Sequence, residues 1–223
     1  MIRYHFFSHQ KLLRLPTDVS ACFMHQKHTN HVRFVSDADH PVTADAMVTT
    51  QSHLALCVKT SDCLPILIYD PIHQVISAIH AGWRGVRDDI ITNAINLMLE
   101  YGADTDHLHV HIGPSVRSCC YEVYGERAEV FKSKFFEHPE IFRHDGSEQY
   151  LDLATCAHIQ LKKHGVKTEH IHQSPTCTSC SPDMYPSYHR DESYTDTMVS
   201  AIWIDSDPTP VGVNFMSLDP VSR

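Results

Sequence analysis

Short apolar runs separated by polar or proline-containing turns dominate the first third of the chain. Each run is five to seven residues long and is rich in valine, isoleucine, leucine or phenylalanine. Runs of this length and composition, bounded by turn residues, are typical of strands. The pattern therefore predicts strands over residues 21–25, 31–35, 45–50, 54–60, 65–70 and 74–80.

The spacing of apolar residues changes to a helical period after residue 85. Val86, Ile90, Ile91, Ala94, Leu97 and Met98 share one helical face, which predicts a helix over 86–100. Two more helices are predicted over 126–137 and 152–164, the second ending at Gly165. Late strands are predicted over 108–113, 169–174 and 199–204.

Strands cluster before residue 74 and alternate with helices after it. This order predicts an α/β (mixed α+β) fold, in which mixed β-sheets form a layered sandwich flanked by helices. The length of 223 residues predicts a single domain over 1–223. Residues 207–223 carry weak structure signals, and we predict a tail there.

Composition narrows the classes of function. The formal net charge is -9 and no block of lysine or arginine occurs, which argues against nucleic-acid binding. The longest apolar run, 63–69, is far shorter than the roughly 20 residues of a membrane span. The N-terminal residues lack the apolar core of a signal peptide, so we predict a cytoplasmic protein with reduced thiols.

Nineteen histidines are the unusual feature of the composition. The pairs His109/His111 and His170/His172 would each place two imidazoles on one strand face. Copper oxidases use such pairs as ligands, but neither pair has a cysteine or third histidine at a familiar spacing. We therefore interpret both pairs as solvated strand faces.

Three stretches at strand edges carry the candidate chemistry. They contain Gln26 and His28, then Asp62 and Cys63, and then His80. One thiolate and two imidazoles suit a divalent transition metal, zinc above all, and three protein ligands leave a position for water or substrate. The same cysteine and histidine would also serve as nucleophile and base in a cysteine hydrolase.

A glycine-rich segment follows His80. Gly82 and Gly85 predict a sharp turn, and a helix behind it would point its free N–H groups toward His80. Arg84 adds a planar cation suited to phosphate or carboxylate. Trp83 is either a stacking face for a base or part of the core.

Together these motifs resemble those of the YfiH-like laccase-domain family, whose members are also called multicopper polyphenol oxidoreductases or purine nucleoside phosphorylases. The resemblance rests on "ADAMVTT", "TSDCLPILIYD", "HAGWRGV", "IGPSVRSCCYEV", "SPTCTSC" and "YPSYHRD", which occur in that order between about residues 24 and 204. It implies a layered sandwich related to bacterial toxin Cys–His hydrolases. It also implies a metal site at His28, Cys63 and His80, usually zinc and in some members copper.

The resemblance further implies phosphorolysis of adenosine, inosine, guanosine and methylthioadenosine, and deamination of adenosine. A bound metal would activate water for deamination, with Asp62 or Glu122 moving protons. Phosphate would rest on Arg84 for phosphorolysis. Gln26 and Arg190 are the further candidates for binding nucleoside or phosphate.

Two departures from the family pattern bear on activity. The family's "S-x-N-L" stretch and Asn-Arg pair, which precede its Gln-x-His motif, are not found here. The late "SYRRD…TGR" pattern is "SYHRDESYTDT" in this chain, so His189 replaces an arginine and Asp196-Thr197 replace Gly-Arg. A protein so altered would hold metal yet act slowly or on another substrate.

The spacing of the remaining cysteines is weak evidence for a zinc site. Cys177 and Cys180 form a C-x-x-C, but Cys119 and Cys120 are adjacent rather than spaced as a second zinc pair. Free thiols or a redox pair remain open, and we predict no special role.

The first functional hypothesis is therefore a zinc-dependent purine nucleoside phosphorylase and adenosine deaminase, whose partners are nucleoside and phosphate. The alternatives are a metal-free cysteine hydrolase or amidase on a peptidoglycan-related substrate, a copper polyphenol oxidase, and a degenerate metal-binding protein. Chelation separates the first two, because it would inactivate the zinc enzyme and spare the hydrolase.

Overall fold

The computed structural model describes residues 1–40, 42–193 and 196–205. Strands β1 to β8 fill the first part of the chain: Ile2–Phe7, Ser20–His25, Val32–Phe34, Val42–Thr43, Ala46–Thr49, Leu54–Thr60, Leu64–Asp70 and Val75–Ala81. The predicted strands in this region are confirmed, since each overlaps one of these elements. The predicted tail lies outside the described residues.

Helices and strands alternate in the rest of the described chain. Helices α1 to α5 are Trp83–Arg87, Ile90–Glu100, Gly125–Lys134, Leu153–Lys163 and Tyr188–Asp191. Strands β9 to β13 are His109–Ile112, Phe142–Asp145, Glu148–Leu151, Ile171–Gln173 and Met198–Ile204. No helix in the described ranges has the length and apolar character needed to cross a membrane.

Two mixed sheets form the framework. One has the order β1-β13-β6-β2-β4 and the other the order β12-β9-β7-β8-β5-β3. Strand β7 pairs antiparallel with β8, whereas β3 pairs parallel with β5. A separate hairpin is formed by β10 and β11. The predicted fold class, mixed sheets flanked by helices, is confirmed.

Successive side chains of the central strands point to opposite faces of their sheets, and this divides the core into layers. In β7, Leu64, Ile66 and Ile68 pack toward the helices, whereas Leu67 packs between the two sheets. In β6, Leu56 faces the same space between the sheets, and Cys57 packs on the far side of its sheet. Both faces of these strands are therefore buried, which explains their nearly continuous apolar sequence.

The single helix predicted over 86–100 is wrong in one respect, because two helices occupy this region. Asp89, at the break, adopts a left-handed conformation with φ of 62°. Its carboxylate accepts hydrogen bonds from Lys134 and Gln160, at 2.6 and 2.9 Å. These tertiary contacts stabilise a backbone conformation that local spacing does not predict.

The interpretation of the histidine pairs as solvated strand faces is wrong for His111. Its ring is 5% exposed, and its centroid lies 4.1 Å from that of Tyr4 and 4.8 Å from that of His172. Because Tyr4 belongs to β1 and His111 to β9, the ring lies between the two sheets. Burial, with a smaller contribution from His172, lowers its pKa from 6.5 to about 3.

Candidate active site

A cleft of about 570 Å³ opens at the edge of the sheet where β8 ends and β7 begins. Its floor contains Cys63 and His80, and one side of it contains His28 and Gln26. The opposite side is formed by residues of α1, α3 and the beginning of α5. The cleft thus collects side chains from segments far apart in the sequence.

The sheet and its turns bring the three predicted metal ligands together. Pro65 lies opposite His80 in the β7–β8 ladder, so Cys63 lies beside the end of β8. His28 reaches the same point from the loop after β2, where its backbone φ is 58°. Their donor atoms all lie within 4.8 Å of one another. Two imidazole nitrogens and one sulfur at these separations fit a transition-metal ion such as zinc.

Gly82 is required for this close approach. A Cβ at Gly82 would lie 3.0 Å from the Cys63 sulfur and 3.1 Å from Cδ2 of His28. The predicted turn is confined to this residue, because Gly85 already lies inside α1. Gly82 therefore provides room for the donors, and Gly85 packs α1 against Ile90 and the backbone of Thr29.

Asp45 orients the histidine and the loop, and sequence reasoning missed it. The residue is fully buried, and its Oδ1 accepts a hydrogen bond of 2.8 Å from Nδ1 of His80. The backbone N–H groups of Lys27, His28 and Thr29 also donate to its carboxylate. With Nδ1 thus engaged, His80 presents Nε2 to the cleft. The sequence did contain a signal for a buried carboxylate, because Asp45 stands between two alanines in an apolar run.

The cysteine and histidine on the floor form a charged pair. Burial raises the pKa of Cys63, but His80 and His28 outweigh burial and bring it to about 6. Burial lowers the pKa of His80, but Cys63 and Asp45 outweigh it and bring that pKa to about 9. At neutral pH the metal-free site is therefore a thiolate beside an imidazolium.

Arginines and an indole form the opposite wall. The guanidinium carbons of Arg84 and Arg127 lie 4.5 and 4.7 Å from the centre of the Trp83 ring. Trp83 also packs against the main core, so it serves as the platform on which these cations rest. Both arginines line the cleft. Arg84 was predicted here, whereas Arg127, inside an exposed-looking helix, was missed.

Two predicted residues line the cleft but use their polar atoms elsewhere. The Gln26 amide donates to the carbonyl of Lys59 and accepts from its N–H. The Asp62 carboxylate accepts from Thr178 Oγ1, Ser187 Oγ and the N–H of His189. These contacts favour positioning roles, in which Gln26 holds the loop after β2 and Asp62 anchors the wall beside Cys63.

The structure places two other candidate residues away from the lining of the cleft. Glu122 is exposed and does not line the cleft, because the extended segment alternates and turns Tyr121 and Val123 inward instead. Arg190 also lies outside the cleft lining. Its guanidinium donates to the carbonyls of Thr178, Ser179 and Tyr185 and to Asp191, and these contacts stabilise the loop. His189 lines the cleft in its place.

Comparison with known protein families accounts for nearly all of the described chain. The family model described as multi-copper polyphenol oxidoreductase laccase matches residues 5–205. This match begins further toward the N terminus than the motifs in the resemblance, and it takes in the last three residues of β1.

Named relatives come from bacteria and animals. A purine nucleoside phosphorylase of Streptomyces coelicolor is 37% identical over 188 residues, which cover 82% of this chain and 74% of that protein. Purine nucleoside phosphorylase LACC1 of Mus musculus is 31% identical over 202 residues, or 88% of this chain. The matched part is only 44% of the mouse protein, so this chain spans less than half of its length.

Solved structures agree with the fold. The Neisseria meningitidis protein NMB0706 has a TM-score of 0.77 at 30% identity, covering 84% of this chain and 76% of that one. The hypothetical protein YfiH of Bacillus licheniformis has a TM-score of 0.78 at 25% identity, covering 83% and 74%.

Proposed function

The chain belongs to the multi-copper polyphenol oxidoreductase laccase family, and from this membership we propose that it is a metal-dependent purine nucleoside phosphorylase. The observation that carries the proposal is the convergence of His28, Cys63 and His80 at the floor of a cleft with a cationic wall. Relatives named purine nucleoside phosphorylase supply the substrate class.

The floor of the cleft would hold the metal through one sulfur and two imidazole nitrogens. A zinc ion bound there would supply Lewis-acid chemistry to a water or substrate oxygen. Asp45 keeps Nε2 of His80 aimed at the site through the bond to Nδ1, and its charge increases the basicity of that ring. Gly82 leaves room for the donors of His28 and Cys63.

The arginine wall would bind the phosphate co-substrate. Arg84 and Arg127 present two positive charges on one side of the cleft, although the chain as a whole carries a net charge of -9. In phosphorolysis a phosphate oxygen attacks the anomeric carbon of ribose, the glycosidic bond breaks, and the base leaves with a proton. Cations fixed beside the phosphate would orient it for this attack.

Adenosine deamination belongs to the same proposal as a second reaction of the cleft. Water would add to the purine carbon that carries the amino group, and ammonia would leave. The cleft volume of about 570 Å³ accommodates a nucleoside, since ligand sites commonly measure about 300–1,000 Å³.

A product assay tests this function. Zinc-loaded protein is incubated with adenosine, with and without phosphate, and the products are separated by chromatography. We expect adenine only when phosphate is present and inosine in both cases, with both products lost in Cys63→Ala. The control is Cys57→Ala, which changes a buried cysteine of the other sheet. Absence of both products from folded, zinc-loaded protein would contradict the proposal.

One observation favours a second candidate, a metal-free cysteine hydrolase or amidase. Cys63, His80 and Asp45 form a chain of nucleophile, base and orienting carboxylate. The pKa of about 6 for Cys63 would make it a thiolate at neutral pH. A chelator would spare this activity and a thiol alkylator would abolish it, whereas the zinc enzyme would be inactivated by the chelator.

A further inference from the structure

Four cysteine side chains meet on the side of the molecule behind Asp62. Cys119 and Cys120 come from the segment after β9, and Cys177 and Cys180 come from the segment after β12. Their sulfurs all lie within 4.8 Å of one another. The sequence prediction that these cysteines have no special role is therefore corrected, since chain folding supplies the second pair that spacing did not reveal.

The separations match those of ligands around one ion. The Cys180 sulfur lies 3.3 Å from that of Cys120 and 3.5 Å from that of Cys119. A tetrahedral zinc ion with Zn–S distances of about 2.3 Å separates its sulfurs by about 3.8 Å. The two observed separations are about 0.3 to 0.5 Å shorter than this value, so the sulfurs are already close enough to share one ion. Four thiolates are a ligand set typical of structural zinc.

Local backbone structure points both pairs toward the same place. Around Cys119 and Cys120 the chain makes a tight turn, in which the N–H groups of Cys120 and Tyr121 both donate to the carbonyl of Arg117. Such a turn lets adjacent side chains serve one site. The C-x-x-C pair has the spacing of a zinc knuckle, and Cys180 donates its backbone N–H to the Cys177 sulfur.

Backbone hydrogen-bond donors surround the sulfur of Cys177, the buried member of the cluster, and favour its thiolate form. Cys177 is 7% exposed, and the backbone N–H groups of Arg117 and Cys180 both donate to its sulfur. Backbone donors of this kind commonly support thiolates that bind metals.

We propose that Cys119, Cys120, Cys177 and Cys180 form a second metal site that holds one structural zinc ion, separate from the site at His28, Cys63 and His80. This assignment does not rest on the proposed function, because it concerns metal content and stability. Together with the zinc of the proposed function, it would give the protein two zinc ions with different ligand sets, one open to the cleft and one with four protein ligands.

The ion would connect two segments that build the wall of the cleft. Ser115 and Cys177 form a β-bridge, and the N–H of Thr178 donates to the Ser115 carbonyl. Thr178, between the two knuckle cysteines, also donates its hydroxyl to Asp62 at 2.5 Å. Asp62 directly precedes Cys63. The structural zinc would therefore hold the Thr178 loop against the residue next to the metal-binding cysteine.

Metal analysis in a background without the cleft site tests the assignment. His28→Ala/Cys63→Ala protein is purified under reducing conditions from zinc-supplemented medium, and its metals are measured by mass spectrometry. We expect about one zinc per chain to remain. Adding Cys177→Ser and Cys180→Ser to that background should remove it. Adding His73→Ala instead should not, although His73 lies in a third group of possible ligands with Asp70 and His107.

A thiol titration keeps the test valid if the quadruple variant fails to fold. In the folded background protein the four cluster thiols should resist a thiol reagent, although Cys119 and Cys180 are exposed. A strong chelator should release zinc and about four reactive thiols together. Immediate reaction of Cys119 and Cys180 before any chelator is added, in folded protein purified from zinc-supplemented medium, would overturn the proposal, and so would iron in place of zinc or a disulfide between these cysteines.

Discussion

At the scale of single residues, Asp45 has the widest influence on the cleft. It is fully buried, fixes Nδ1 of His80 and accepts backbone hydrogen bonds from the loop that carries His28. Asp45→Asn keeps the size of the side chain but removes its charge and replaces one acceptor oxygen with a donor. We expect zinc affinity at the cleft site to fall about 10- to 100-fold.

Competition with a chromophoric chelator measures that affinity. The assay is run in Cys177→Ser/Cys180→Ser protein, so that only the cleft site contributes if the four-cysteine site exists. Asp37→Asn is the control, because Asp37 is an exposed carboxylate that pairs with a different histidine, His40. Equal affinities of Asp45→Asn and the control would show that Asp45 does not support the metal.

Gly82 offers a second test at this scale. Its φ of -74° is accessible to alanine, so Gly82→Ala introduces no backbone strain. The new methyl group would meet the Cys63 sulfur and the His28 ring at 3.0 and 3.1 Å. We expect phosphorolysis, measured as kcat/KM for adenosine, to fall about 100-fold because the donors are displaced.

Gly85→Ala is the matched substitution for that experiment. It places a methyl group inside α1, the helix that Gly82 precedes, against Ile90 and the Thr29 carbonyl and away from the Cys63 sulfur. Thermal unfolding of both variants checks that each is folded. A normal kcat/KM in Gly82→Ala would show that the donors tolerate displacement.

Sequence motifs predicted which residues the site contains, but not the tertiary contacts that position them. His28, Cys63 and His80 stand at strand edges and belong to quoted motifs, so their identity could be predicted. Their convergence needed the loop held by Asp45 and the space left at Gly82. Arg190 was assigned to phosphate because its charge is visible in the sequence, but its hydrogen-bond partners are not.

At the scale of elements, the residue that caps the N terminus of α4 also contacts the segment that carries Cys119 and Cys120. Asp152 precedes the helix and accepts hydrogen bonds from the N–H groups of Ala154 and Thr155. It also pairs with Arg117 at 3.0 Å. We expect Asp152→Ala to lower the free energy of unfolding by about 1–2 kcal/mol, since the cap is lost.

Urea denaturation of three proteins separates the cap from the ion pair. Asp152→Asn retains a good capping side chain and loses the charge opposite Arg117. We expect it to unfold closer to the wild type than Asp152→Ala does. Equal destabilisation by the two substitutions would show that the ion pair, rather than the cap, is the stabilising contact.

Strands were predicted more accurately than helix boundaries for a reason visible in the elements themselves. Central strands such as β6 and β7 are buried on both faces, so their apolar runs mark them clearly. The break between α1 and α2 depends on Lys134 and Gln160, which are distant in sequence. The β10–β11 hairpin was missed because its residues are mostly polar and partly exposed.

At the scale of the whole molecule, the contact between the two sheets contains a histidine that titrates unusually. Burial, aided by His172 and His109, lowers the pKa of His111 in the folded protein to about 3 from an ordinary 6.5. Between these values the unfolded chain binds more protons at this position than the folded chain. Stability therefore rises with pH across this window, and His111 makes its full contribution above about pH 6.5.

His111→Phe should flatten this dependence. The ring would still stack on Tyr4 but would no longer take up a proton on unfolding. We expect the free energy of unfolding of the wild type to fall more steeply than that of the variant between about pH 6 and 4, by at most about 1.4 kcal/mol per pH unit. His40→Phe, at a site with a mostly exposed side chain, is the control. Parallel curves for wild type and His111→Phe would contradict the prediction.

The order of strands in the first sheet also has a consequence during protein synthesis. Strand β1 is made before the other described strands, yet it pairs with β13, which is 7 residues long and begins at Met198. A ribosome that is still translating the middle of the chain has therefore already released β1 without its partner. His28, Cys63 and His80 leave the ribosome early, whereas the first sheet cannot close until β13 emerges. The nascent chain would thus expose an unpaired strand that carries Phe6 and Phe7 until β13 emerges, and a chaperone that covers unpaired strands would be needed throughout that interval.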